Sequence, residues 1–270
     1  MEKPGGGGVN QARIRQGPSR GYVLVITGAG ISAESGIPTF RGDDGYWTIG
    51  SVNYRPEELG TLRKFQEVPW DIWRWYLHRR QVCEKAMPNP AHHRLVEWES
   101  RWGERFHLVT QNVDGLHRQA GQRNLFESHG NLQMMRCSQH CLPRTWPIPS
   151  SAKVGCGDLE LKTLLACPNC GAAARPHLLW FDESYNEEHY RWSSAQNIAR
   201  KAGLVVTIGT SGVATLPSRL SSLAKSCGAV LVDINPEQNP LSRQAQASGG
   251  AHLACGAGEG LERLEKILQG

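Results

Sequence analysis

At 270 residues, 39% hydrophobic and 20% charged, the chain has the composition of a globular protein, long enough for one large domain or a large and a small one. No apolar run approaches the roughly 18 residues of a bilayer-spanning helix, so no membrane partner is expected. A formal charge of +5 is too mild and diffuse to indicate nucleic acid, and eight cysteines without a secretion signal point to metal or free thiols rather than disulfides.

Residues 1–20 are Gly-rich and basic, with Arg13, Arg15 and Arg20, and predict a disordered tail. Its glycines spoil the amphipathic helix of an organellar transit peptide, so a cytoplasmic protein is expected, with mitochondrial targeting by this tail as the alternative. Tyr22–Thr27 is a β-rich apolar run leading into Gly28, Ala29 and Gly30, with Ala33 at the third small position of a dinucleotide fingerprint. Glycines there let the backbone approach a pyrophosphate, and a short helix from Ile31 offers it free amides. Alone, that fingerprint is weakly specific. A dehydrogenase would continue with a long helix, a second strand and an acid about 20 residues on. Gly36 and Pro38 break the helix almost at once, so the far end of the nucleotide meets Phe40 and Arg41 on a loop. This suggests chemistry at the nicotinamide ribose without hydride transfer.

Residues 43–100 carry helical signals and much of the tryptophan. Read as a helix, Trp70–Cys83 places Ile72, Tyr76, Arg79 and Cys83 on one stripe. An arginine in an apolar stripe needs an anion or a route to water, and snorkelling is the plain alternative. Phe106–Thr110 is a second strand-like run, followed by Gln111, Asn112, Val113 and Asp114; turn formation is the plain alternative for that Asn and Asp. In the stretch Phe126–Gly130, a strand-like start leaves His129 at a strand end, where a base is useful, although an isolated histidine is usually structural. Leu204–Ile208 before Gly209 and Ala229–Val232 before Asp233 complete four runs that suggest parallel strands buried on both faces. Ligands gather at the carboxyl ends of such strands, where all four polar clusters converge. Leu261, Leu264, Ile267 and Leu268 fit a closing amphipathic helix.

Five cysteines fall within residues 132–176. Cys167 and Cys170, followed by Gly171, form the tight knuckle suited to tetrahedral zinc, whereas Cys137 and Cys141 are spaced by three residues rather than two. Four thiolates from Cys137, Cys141, Cys167 and Cys170 are favoured, with His140 and Cys156 as alternatives to Cys141. Four protein ligands make such a zinc structural. The segment lacks the basic and aromatic interleaving of a nucleic-acid-binding ribbon. Cys83 and Cys227 read as buried thiols. The fold class expected is α/β: a Rossmann-like parallel-sheet domain from residues 21–42, 101–131 and 177–270, with a smaller helical and zinc-binding domain from 43–100 and 132–176.

GAGISAESGIPTFRG at 28–42, TQNVDGLH at 110–117, ESHGN at 127–131, GTSG at 209–212 and DINPE at 233–237 occur in that order, and in them the chain resembles the sirtuin family of NAD-dependent protein deacylases. The resemblance runs from about Tyr22 to the C-terminus. It implies that the carbonyl oxygen of an acylated lysine attacks the nicotinamide ribose, giving nicotinamide, free lysine and O-acyl-ADP-ribose. It further implies that Gly28, Ala29, Gly30, Glu34 and Arg41 lie along the cofactor and that Phe40 shields the reactive carbon from water. Gln111, Asn112, Val113 and Asp114 match the segment at the nicotinamide ribose and carboxamide, and His129 matches the base that activates a ribose hydroxyl for acyl migration. Gly209, Thr210 and Ser211 match the phosphate-side loop, and Asn235, Pro236 and Glu237 the adenosine ribose contacts. Cys255 matches a backbone contact to adenine, with a redox thiol as its plain alternative.

Tyr76 and Arg79 look like the pair by which class III sirtuins grip the distal carboxylate of a succinyl, malonyl or glutaryl lysine; Thr39, where many deacetylating members carry Asp, leans the same way. Leu179, Trp180 and Phe181, opposite Gly212 and Val213, resemble the segments that clamp an acylated peptide by β-augmentation. Asp182 departs from the family's common glycine, and His177 reads as structural. A monomer acting on acylated proteins is expected, with protein ADP-ribosylation or a non-catalytic NAD-binding scaffold as rivals.

Overall fold

Val23 and Val25 of the first apolar run pack into one buried cluster with Phe106, Leu204 and Val206, whereas Leu24 and Ile26 between them pack into another with Val205, Ala195 and Leu220. Strand alternation thus places one element between two apolar layers, as a sheet covered on both faces requires. The structure, a computed structural model, describes residues 10–37, 47–49 and 52–270, with side chains described over 10–37 and 55–270. Its strands in chain order are β1 (Tyr22–Thr27), β2 (Trp47–Ile49), β3 (Val52–Tyr54), β4 (Phe106–Thr110), β5 (Leu125–Glu127), β6 (Gly130–Cys137), β7 (Trp146–Pro147), β8 (Ala174–Leu178), β9 (Ala202–Ile208), β10 (Val230–Ile234) and β11 (Ala251–Leu253).

Six strands form one parallel sheet in the order β11-β10-β9-β1-β4-β5, the Rossmann-like arrangement expected. Register levels their ends. Thr27 pairs with Thr110 and Ile208, Thr110 with Glu127, and Ile208 with Ile234, so the loops that follow emerge side by side along one edge.

Above that edge, β7-β6-β8 form a small antiparallel sheet against the helix Pro69–Glu84. Ile72, Trp73, Trp75, Tyr76 and Leu77 of this helix share a buried cluster with Leu132, Met135, Leu161, Leu178 and Trp180. The indole of fully buried Trp73 donates to the Ala174 carbonyl at 2.8 Å, which satisfies its one polar atom. Ile72, Tyr76 and Cys83 are buried along one stripe, as the periodicity predicts.

Three expectations are corrected. Within the segment read as a disordered tail, Gln11–Arg20 is a helix, started where Asn10 Oδ1 accepts from the Arg13 amide at 3.0 Å. Its Ile14 is fully buried against the sheet, and a Cβ at Gly17 would approach Val230 Cγ1 to 2.9 Å, so this glycine permits close packing instead of disorder. The boundary at residue 100 also moves. The helix Pro90–Trp102, begun by Asn89 accepting from the Ala91 amide, buries Ala91, Leu95 and Trp98 beneath the large sheet with Phe106 and Leu261. Finally, Cys227 is exposed where the helix Thr215–Ser226 ends, although Cys83 is buried.

Candidate active site

A cleft of about 1070 Å³ lies between the carboxyl edge of the large sheet and the smaller helical unit. At its floor, the loops after β1 and β9 touch backbone to backbone. Gly28 N donates to Ile208 O at 3.0 Å and Gly30 N to Gly209 O at 2.8 Å. A Cβ on Gly30 would meet Gly209 Cα at 2.6 Å, and Gly209 has φ +60. The glycines are therefore required first by this loop-on-loop contact. The result is a cradle of bare backbone at the start of the 3₁₀ helix Ala29–Ser35, suited to a pyrophosphate. Gly36, with φ +80, ends that helix as a left-handed cap.

Ser32 binds Asn112 and Asp114 together. Its hydroxyl donates to Asp114 Oδ2 at 2.8 Å and accepts from Asn112 Nδ2 at 3.1 Å. Asp114 Oδ1 accepts from the Leu116 amide at 2.9 Å; burial pushes this carboxyl up, opposed by the two hydrogen bonds. Gln111 Nε2 reaches Thr210 Oγ1 at 3.0 Å, and Asn235 Nδ2 reaches Thr210 O at 3.0 Å, so Thr210 joins both ends of the cleft.

His129 is held by its backbone. Ser128 N donates to Thr110 O at 3.0 Å, and Leu179 N donates to His129 O at 2.9 Å. The half-buried ring faces the cleft, and burial pulls its pKa down to about 4, opposed by a hydrogen bond with the Gln111 backbone. A neutral imidazole near pH 7 is the form a base requires.

At the other end, the Tyr76 hydroxyl accepts from Trp180 Nε1 at 2.9 Å, and the Arg79 guanidinium lies 5.0 Å from the Trp75 ring centroid and 6.0 Å from that of Tyr76. Burial raises the Tyr76 phenol to about 12 and lowers Arg79 from its ordinary value. The raised phenol therefore keeps its proton at neutral pH, and the guanidinium, as an arginine, is a donor only, so both face the same cleft as donors.

The cleft also brings together Ala29, Glu34, Val113, Ser211, Pro236, Glu237, Leu179, Trp180 and Phe181. Gly212, Val213 and Cys255 stand outside its lining, although Ala214, Gly256 and Ala257 beside them are part of it. The Cys255 amide is already given to Leu253 O at 2.9 Å. Phe40, Arg41 and Thr39 lie outside the described residues. Along 179–181 every amide is committed: Leu179 to His129 O, Trp180 to Glu183 Oε2 and Phe181 to Gly60 O. Sequence reasoning missed Ser32, which its place within GAGIS hinted at, and Tyr185 and Arg243, which no local pattern marks.

The thiol sulfurs of Cys137, Cys141, Cys167 and Cys170 lie within 4.8 Å of one another. The near pairs are 3.3, 3.4 and 3.6 Å apart, close to the roughly 3.8 Å edge of a zinc tetrahedron with Zn–S of about 2.3 Å. Four sulfur donors in that arrangement fit one structural zinc. Neither His140 nor Cys156 belongs to the cluster.

A Rossmann-like sheet with a glycine cradle at its carboxyl edge, a histidine in the same cleft and a four-cysteine unit beside it define a nucleotide-dependent enzyme with a structural metal. The Sir2 family profile matches residues 28–215. A protein from Leptospira interrogans named NAD-dependent protein deacylase is 41% identical over 228 residues, covering 82% of this chain and 83% of its own length. Another of that name, from Thermus thermophilus, is 41% identical over 245 residues, 90% of this chain and 88% of the relative. The crystal structure of a Sir2 homologue in complex with NAD is 32% identical with TM-score 0.78, covering 96% of this chain and 95% of that one. This chain belongs to the Sir2 family.

Proposed function

We propose that this chain, an NAD-dependent protein deacylase by family, removes acidic acyl groups, succinyl and malonyl and also glutaryl, from protein lysines. NAD, when bound, supplies the ribose carbon that accepts the acyl oxygen, with nicotinamide as the leaving group. The chain's own residues do the rest. Asn112 and Asp114, tied together through Ser32, orient the nicotinamide side of the cofactor, and His129 takes a proton from a ribose hydroxyl.

The observation that carries the acyl preference is that Tyr76 and Arg79 project from one helix face into the cleft that also contains His129. Because Tyr76 Oη accepts from Trp180, its own proton is left to donate, and the Arg79 fork can bind a carboxylate in two places. Burial of a guanidinium is costly, and an incoming carboxylate offsets part of that cost. The apolar wall from Trp75 and Trp180 accommodates the methylenes between amide and acid. A Sir2 structure with a bound propionylated peptide shares the fold at TM-score 0.72, though only 22% identical.

The test compares kcat/KM on succinyl, malonyl, glutaryl and acetyl peptides for the wild type and Arg79→Met. Loss of about 100-fold or more on the acidic acyls, with the acetyl peptide changed severalfold at most, is expected for removal of a charge-assisted hydrogen-bond pair. Equal losses on all four would refute the grip. A mass gain of ADP-ribose on the protein acceptor would replace deacylation by ADP-ribosyl transfer.

A further inference from the structure

Not every cleft residue has a part in the scheme above. Tyr185 places its hydroxyl 2.8 Å from Nε2 of His129, and the two rings lie 5.8 Å apart at 30°. The contact is built, since both partners are fixed from behind. Tyr185 stacks on Trp192 at 4.8 Å and 23°. Two residues earlier, Glu183 is gripped by both terminal nitrogens of fully buried Arg175, at 2.5 and 2.7 Å, and accepts from the Trp180 amide at 3.0 Å. On the histidine side, Gly130 has φ +87 and sits so close to β8 that a Cβ would meet His177 O at 1.9 Å, which fixes the turn that presents the imidazole.

From this geometry we infer that Tyr185 is a positioning residue for His129, its hydroxyl holding the imidazole so that a ribose hydroxyl can give up its proton to that ring. The inference rests on His129 acting as the base of the deacylase reading. A phenol suits the task because it is donor and acceptor at once. Toward neutral imidazole it donates to Nε2. With Nδ1 tied to the Gln111 backbone, Nε2 carries the ring's one lone pair. The phenol O–H therefore turns away from it as the ribose hydroxyl docks, Nε2 takes that proton, and the phenol oxygen then accepts from the new N–H. Burial keeps the phenol protonated, its pKa pushed up to about 12, so it does not itself compete as a base near neutral pH. Without the hydroxyl the ring keeps only its tie to the Gln111 backbone, and near-attack geometry is lost for part of the time.

The test separates two steps of one reaction. Exchange of labelled nicotinamide into NAD, in the presence of acylated peptide, needs only departure and return of nicotinamide; product formation also needs the base. Tyr185→Phe keeps the ring and its stack on Trp192 and removes only the hydroxyl. We expect unchanged thermal stability and exchange, a roughly tenfold fall in O-acyl-ADP-ribose formation, and a changed ¹⁵N shift for His129 Nε2 in the free protein. Tyr185→Leu should lose product formation to at least the same extent. Normal product formation in Tyr185→Phe, or an equal fall in exchange and product formation, would overturn the positioning role; so would an unmoved ¹⁵N shift. His129→Ala serves as the reference: if it forms product at the wild-type rate, the base assignment fails and this inference fails with it, whereas a defect in His129→Ala alone defeats only the role of Tyr185.

Discussion

Gly209 illustrates how much one missing methyl group can decide. Its φ of +60 is a conformation that L side chains rarely adopt, and an added Cβ would meet Ile31 N at 2.5 Å and Gly30 Cα at 2.6 Å. Those atoms are backbone, so no side chain can rotate away. Gly209→Ala would force the loop after β9 away from the loop after β1, opening the cradle beneath the pyrophosphate. The strain of a left-handed alanine alone is about 1–2 kcal/mol, and the overlap adds to it. Chemical denaturation should register that loss, and calorimetric titration should show NAD affinity falling at least tenfold. Wild-type affinity in a destabilised Gly209→Ala protein would mean that the loop contact is architectural and does not shape the cofactor site. The glycine pattern pointed to a nucleotide, yet the local reason for those glycines lies in a neighbouring loop 180 residues away in sequence. No reading of the fingerprint alone contains that partner.

Among the elements, the segment after β8 is tied at both ends. Asp182 reaches the first amides of the helix Leu62–Glu67, with Oδ1 accepting from Leu62 at 2.7 Å and Oδ2 from Arg63 at 3.1 Å, while the neighbouring Phe181 amide donates to Gly60 O at 2.8 Å. This carboxylate thus fastens the segment after β8 to the small unit and answers the orphan donors at a helix start. Asp182→Gly should raise KM for acylated peptide about threefold to tenfold while changing the affinity for NAD little, because a cap is worth roughly 0.5–2 kcal/mol. Unchanged KM would show that the Phe181 tie suffices. The zinc unit acts on the same segment from the other side, since β6 runs from the turn of His129 to Cys137 and pairs with β8. Chelation of the metal should lower Tm by about 10 °C or more and reduce deacylation with it, which calorimetry on metal-free protein would check.

What was legible at this scale follows from burial. The four strand runs stood out because both of their faces are apolar, and the helix Pro69–Glu84 because its stripe has helical spacing. The helix Gln11–Arg20 was hidden by the glycines before it and by having Ile14 as its one large buried anchor. The helix Pro90–Trp102 was legible as a helix, but which sheet it served was decided by tertiary contacts of Trp98 and Leu95. Asn112, Asp114 and His129 were readable as a group because each follows a strand; Tyr185 follows none, and only the fold carries it to the histidine.

Taken whole, the molecule buries histidines that must stay neutral, two of them beside the strand ends at the cleft. His92 and His117 are buried with ring centroids 4.7 Å apart, and His117 Nε2 lies 3.0 Å from Thr27 Oγ1, which in turn donates to Thr110 at the ends of β1 and β4. Burial lowers His92 to about 4, His117 well below the ordinary histidine value, and His177, half-buried near Arg136, to about 3. Their sign is common: between about pH 6.5 and 4 the unfolded chain binds protons that the folded chain refuses. Stability from these groups is therefore fully present above pH 6.5 and is lost as pH falls, up to roughly 3 kcal/mol for a buried ring such as His92. Buried Asp233, whose carboxyl burial pushes up, works in the opposite direction and blunts the fall. Glu183, held down by Arg175 against its own burial, adds to the loss only as pH drops below the ordinary carboxylate value of 4.5. Denaturant midpoints should thus be level above pH 6.5, decline between 6.5 and 4.5 through the histidines, and steepen below. His92→Gln should be less stable at pH 7.5 but show a shallower decline across that middle window. A profile level down to pH 4.5 in the wild type would mean that water reaches these rings in the native state.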